Sequence, residues 1–225
     1  MDPFRFTLLS AGPYDLPTIL RGPDTGPCVL FLPPLFEEMN RTRRLLADLG
    51  RALAARGIGS LLPDLPGTGD AAGVPDVAAW QTATAHLIEA LAQRPLRVVA
   101  VRGGALLTDG SGSQGLYRIS PAASGASLLR EMMRAQAIAD QEREGVRVSP
   151  SVYETRFGRG ETVALTGYDV TPALAAQLTA LTLPEAAVSL RVSSVEGPPV
   201  WRQAEPAPAP TFAAALAEDI AAWMR

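Results

Sequence analysis

The 225-residue chain predicts a doubly wound α/β fold: a mainly parallel sheet with helices on both faces. Three observations carry that prediction. Apolar runs of five or six residues at 28–32, 58–62 and 96–101 alternate with longer stretches of helical apolar spacing. Each run stops abruptly, at Pro33-Pro34, at Pro63-Asp64 and at Arg102-Gly103-Gly104. The strand–helix order then repeats, and right-handed crossovers between parallel strands place helices on both faces.

Residues 4–9 and 17–20 read as two short strands joined by the turn Ala11-Gly12-Pro13-Tyr14-Asp15. Residues 28–32, Cys28-Val29-Leu30-Phe31-Leu32, are apolar at every position, as a strand covered on both faces must be. A polar loop, Phe36-Glu37-Glu38-Met39-Asn40, leads into a helix. Its Leu45, Leu46, Leu49 and Leu53 fall on one stripe, and Arg56-Gly57 closes it with a cation and a C′ glycine. The next buried strand, 58–62, ends in the turn Pro63-Asp64-Leu65-Pro66-Gly67-Thr68-Gly69-Asp70. A helix over 76–93 follows, capped by Asp76, with Trp80, Leu87, Ile88 and Leu91 on one side. Residues 96–101 form a strand, Arg102-Gly103-Gly104 a sharp turn, and Ala105-Leu106-Leu107 the start of a helix. A Gly/Ser loop at 109–115 separates these from a strand at 116–119.

The second half is patterned more weakly. A helix is expected over 128–144, then a segment at 147–160 with Tyr153 and Phe157 as exposed aromatics. Residues 161–166 read as a strand, and Gly167-Tyr168-Asp169-Val170-Thr171-Pro172 opens a helix running to Leu181. Thr171 suits its cap and Pro172 its first position. A late strand over 187–195 is interrupted at 197–201; a Pro/Ala loop at 205–210 precedes a closing amphipathic helix at 212–224. The chain reads as a single domain, 1–225, with 128–183 as a lid-like insertion between sheet strands.

Composition narrows the chemistry. The chain is 47% hydrophobic and 19% charged with a net charge of −3, which argues against nucleic acid and anionic membranes as partners. All 20 basic residues are arginine, so Schiff-base, P-loop and general-base lysines are excluded. The one histidine, His86, sits mid-helix as a structural residue would, and paired-histidine zinc sites are excluded. The one cysteine, Cys28, reads as a buried inert thiol in a reducing compartment. Met1-Asp2-Pro3-Phe4-Arg5 lacks a signal-peptide pattern, and no apolar run approaches the roughly 20 residues needed to span a bilayer. A cytoplasmic protein with no metal, no cofactor and no membrane insertion is expected.

Ala100-Val101-Arg102-Gly103-Gly104 lies where a strand turns sharply. The nucleophile elbow of α/β-hydrolases, G-x-S-x-G, has this strand–turn–helix form with serine at its apex. On that pattern Gly104 fills the last glycine, Ala100 replaces the first, and Arg102 stands where serine belongs. A Ser-His-Asp machine also needs an orienting acid after a late strand, where Glu196 falls, and a histidine near 205–210, where none occurs. A guanidinium stays protonated at working pH and is no nucleophile. The sequence therefore predicts a degenerate triad.

Three motifs act together: Pro33-Pro34-Leu35-Phe36-Glu37-Glu38-Met39-Asn40-Arg41-Thr42-Arg43-Arg44, Asp64-Leu65-Pro66-Gly67-Thr68-Gly69-Asp70, and Gly160-Glu161-Thr162-Val163-Ala164-Leu165-Thr166-Gly167-Tyr168 ahead of a Leu/Ala helix. The set resembles the second of the two exosortase-A-system-associated hydrolase families, over nearly the whole chain, including Arg102-Gly103-Gly104 and residues 197–201. Such proteins are encoded beside exopolysaccharide and protein-sorting genes in Gram-negative bacteria. The resemblance implies an α/β-hydrolase fold and a cytoplasmic protein; it brings no known substrate.

The strand ends supply the candidate site. Glu37, Glu38 and Arg102 are the candidate catalytic groups; Asn40, Arg43, Gly103, Gly104, Ser120 and Ser124 are candidate ligand contacts. Arg102 at a helix N-terminus would clamp a carboxylate or phosphate, or else be held by Glu37 or Glu38 in a buried ion pair that closes the site. Ser120 and Ser124 are displaced nucleophiles or turn formers. Three readings follow: a degenerate hydrolase that binds a small anion or an acyl or glycan intermediate, an active hydrolase with water activated by Glu37 or Glu38, and a non-catalytic assembly protein. The expected partner is a small molecule; oligomeric state is left open.

Overall fold

The computed structural model describes residues 4–145, 148–203 and 206–225, so Met1, Asp2, Pro3, Val146, Arg147, Ala204 and Glu205 lie outside it. It opens on an antiparallel hairpin, β1 (Arg5–Ala11) and β2 (Tyr14–Arg21), closed at Gly12-Pro13. Two compact units follow from the contacts, Met1–Pro121 with Pro184–Arg225, and Ala122–Leu183.

In the first unit the apolar runs become β3 (Cys28–Leu32), β4 (Gly59–Pro63) and β5 (Leu96–Val101), joined by β6 (Leu116–Ile119) and a short β9 (Leu190–Val192). The seven-stranded order is β1-β2-β4-β3-β5-β6-β9, parallel from β4 to β9. Alternation along the strands sends Val29, Phe31, Val99, Val101, Tyr117 and Ile119 to one face. There they meet the leucine stripe of α1 (Glu37–Ala54) and Phe212, Leu216 and Ile220 of α6 (Pro210–Trp223). The connections β3–α1–β4 and β4–α2–β5, with α2 at Val77–Leu91, step in opposite directions along the sheet. Right-handed crossovers therefore set α1 and α2 on opposite faces. Trp80 of α2, fully buried, donates its indole N–H to the Pro66 carbonyl at 2.8 Å. Tyr117 and Arg191 both donate to Asp219, fastening α6 to β6 and β9.

The second unit contains α3 (Gly125–Glu144), α4 (Ser151–Gly158), a hairpin of β7 (Val163–Leu165) and β8 (Tyr168–Val170), and α5 (Pro172–Ala180). Asp140 accepts hydrogen bonds from Tyr153 at 2.6 Å, Gln136 at 2.8 Å and Arg143 at 2.9 Å. The Tyr153 hydroxyl first, then Gln136, hold its carboxyl below the ordinary value. A depressed folded pKa contributes stability above the unfolded value near 4, and that contribution is lost as pH falls through the folded value. Asp140→Asn is expected to lower the melting temperature at neutral pH and to flatten its fall on acidification; parallel melts of the two proteins from neutral to acidic pH measure this.

Several elements differ from the sequence expectation. Residues 37–40 are helix, not loop: Phe36 turns the chain at φ 57°, and Glu37 and Glu38 in the first turn suit the helix dipole. The helix expected after Arg102-Gly103-Gly104 is a single 3₁₀ turn, Arg102–Leu106, because the Gly/Ser loop follows too closely for more. Tyr153 is buried through its bond to Asp140, and Phe157 is half-buried, so neither forms an exposed aromatic patch. Residues 168–170, expected to lead a helix, pair back on 163–165 across the left-handed Thr166 and Gly167. The α3 helix starts three residues early, at a Ser124/Ser127 capping box.

Candidate functional site

The site begins where β5 ends. Arg102 adopts φ 51°, a left-handed conformation, immediately after Val101. The chain doubles back so tightly that Gly104 lies against the carbonyls of Leu32 and Pro33 at the end of β3; a Cβ there would overlap both oxygens. Glycine is required at this close approach. Gly103 is buried inside the same turn.

Arg102 is 8% exposed. Its Nε donates to both carboxylate oxygens of Glu38, at 3.1 and 3.2 Å, and its Nη2 donates to Oε1 at 2.8 Å. Nη1 reaches the Ser120 carbonyl at 3.4 Å, and the guanidinium carbon stands 5.5 Å from the Trp201 ring centroid. Glu38 lies in the first turn of α1, where the helix dipole favours a carboxylate. The charge of Arg102 is thus answered from within the protein. The anion-attracting helix N-terminus expected at Arg102 is absent, since a 3₁₀ turn of five residues lacks aligned dipoles.

The other candidates are engaged elsewhere. Glu37 accepts from Asn40 at 3.2 Å and from Arg41 at 3.4 Å, while Arg41 also reaches the Trp201 carbonyl at 3.5 Å. Arg43 points to Asp64 at 3.4 Å, and Asp64 accepts the Asp70 backbone N–H at 3.0 Å. Ser120, at φ 43°, contributes its carbonyl. Ser124 caps α3. His86 lies on α2 with its imidazole against Gly12 and 3.6 Å from Glu89, beside the β1–β2 turn at the far edge of the strand order from β5. Glu196 is exposed after β9. Sequence reasoning missed Trp201 and Arg41 as members of this cluster, although both fall inside segments that carried the family resemblance.

No known family profile and no curated protein matches the chain. Solved structures do. Est1E of Butyrivibrio proteoclasticus, seen with ferulic acid, superposes at TM-score 0.60 and 13% identity, over 83% of this chain and 77% of that one. GrgF of Penicillium sp. sh18, an α/β-hydrolase, gives TM-score 0.56 at 14% identity over 80% and 74%. A protein named as a hydrolase from Agrobacterium vitis S4 gives 0.52 at 16% identity over 99% and 100%. The chain has the α/β-hydrolase fold. In α/β-hydrolases the oxyanion hole takes one N–H from the residue after the nucleophile and another from the loop after the strand equivalent to β3. In this chain the loop after β3 is Pro33-Pro34-Leu35-Phe36, with Leu35 and Phe36 buried, and the turn after β5 carries the Arg102–Glu38 pair.

Proposed function

We propose that this α/β-hydrolase-fold protein performs no serine-hydrolase chemistry and serves a cytoplasmic, exopolysaccharide and exosortase-associated system as a non-catalytic assembly protein. The observation that carries the first part is the Arg102–Glu38 pair at the elbow apex, with 10% and 16% of the two side chains exposed. A protonated guanidinium stands in the nucleophile's place, and the chain's single histidine lies four strands away along the sheet order. A water-activating carboxylate gains no support. Glu38 accepts three hydrogen bonds from Arg102, and Glu37 is held by Asn40 and Arg41. The cellular system rests on the motif resemblance.

Purified protein is expected to leave p-nitrophenyl acetate and butyrate unhydrolysed above the buffer rate and to resist a fluorophosphonate probe. Stoichiometric labelling of Ser120 or Ser124, located by peptide mass spectrometry, would overturn the proposal in favour of a displaced nucleophile.

A further inference from the structure

We infer that a pocket under α1, lined by none of Arg102, Glu38 and Ser120 and independent of the reading above, binds a small carboxylate with an apolar tail of about six carbons. It lies where α1 packs over β2, β3 and β4. A cavity of about 190 Å³ is left there, floored by Ile19, Phe31, Leu46 and Leu62, with Arg21 and Arg43 at its rim. Gly50 of α1 helps to keep it open, since a Cβ there would come within 3.0 Å of Arg21 Cδ and Ser60 Oγ. The volume is that of a one-ring or short-chain site; an apolar cavity of roughly 150 Å³ suffices for benzene.

The rim selects the headgroup. A forked guanidinium matches a carboxylate in shape and charge. Arg43 is 42% exposed on its side chain and its pair with Asp64 spans 3.4 Å, so an incoming carboxylate can displace that partner. Arg21 lies 5.0 Å from the Phe4 ring centroid, which orients it over the same face. A smaller void, of about 40 Å³, adjoins through Arg43, Ile19 and Leu62 and is bordered by Asp64 and Asp70. Those two carboxylates repel a phosphate dianion more strongly than a carboxylate, so the ligand is a monoanion. Phe6 and Leu8, exposed on β1 beside the pocket, extend the apolar surface a longer tail would cross.

The test is titration of the full chain with hexanoate, followed by amide chemical shifts and calorimetry. Saturable binding is expected, with shifts at Ile19, Ala47 and Leu62 and weakening by added salt. Arg43→Gln should weaken binding about tenfold, as loss of a charged hydrogen bond does. Ala47→Phe, which fills the cavity, should abolish it. Hexan-1-ol binding as tightly as hexanoate would overturn the carboxylate assignment, as would an undiminished affinity in Arg43→Gln. Absence of hexanoate binding alongside capture by phosphatidylglycerol vesicles would overturn the pocket and point to a lipid surface. Ester hydrolysis at the elbow would refute the proposed function and leave this inference intact.

Discussion

Arg102→Ala is expected to destabilise the protein by about 3–5 kcal/mol, because it leaves Glu38 as an uncompensated, largely buried charge. For a chain of this length that is a fall in melting temperature on the order of 10 °C. The mechanism makes a second demand. Glu38→Gln should also destabilise, since it strands the guanidinium against the Trp201 ring and the Ser120 carbonyl. The double variant should then lose clearly less than the sum of the two, as partners in one buried pair do. Thermal and denaturant melts of the four proteins decide it. A nearly unchanged melting temperature in Arg102→Ala would mean that Arg102 stands in an open pocket and that the elbow is a ligand site after all.

Gly104→Val should be at least as severe. The added atoms meet the carbonyl oxygens of Leu32 and Pro33, which are main chain and cannot swing aside like the end of a side chain. The end of β3 must move, and with it the start of α1 and Glu38. Overpacking of this kind costs about 3 kcal/mol or more. The expected result is loss of soluble, cooperatively melting protein. Gly158→Ala is the control: a Cβ at the end of α4 meets nothing within 4 Å, and its melting temperature should stay the same or rise slightly. Equal melting of Gly104→Val and wild type would refute the close approach of the elbow to β3.

The parallel core was legible because its strands are buried on both faces, so Cys28–Leu32 and Val98–Val101 carry unbroken apolar runs that helices of this fold do not. The position of the elbow was legible for a related reason: the apolar run stops at Arg102, and Gly104 two residues on permits the close approach to the end of β3. Partner choice at the site was only half legible. Glu37 and Glu38 are equivalent as letters, and their roles separate only once α1 begins at Glu37 and turns successive side chains by about 100°. Glu38 then faces Arg102 while Glu37 faces Asn40 and Arg41. Arg43, a few residues further on, is carried to Asp64 by the same rotation. Trp201 was illegible as a neighbour of Arg102 because it lies 99 positions further along the chain and nothing local in Pro198-Pro199-Val200-Trp201 announces a cation partner. The strand expected over 161–166 is β7, but β8 was misread as the lead into a helix because three residues are too few for alternation to register.

Phe36, Arg102 and Ser120 are all non-glycine residues at positive φ, and all lie just beyond the carboxyl ends of β3, β5 and β6. Each L-residue in that region raises the energy of the native backbone by roughly 1–2 kcal/mol. In a working hydrolase such tension at the sheet edge has an outlet, since it holds reacting groups where a bond is to be broken. Here the taut backbone after β5 fixes where the charges of Arg102 and Glu38 meet.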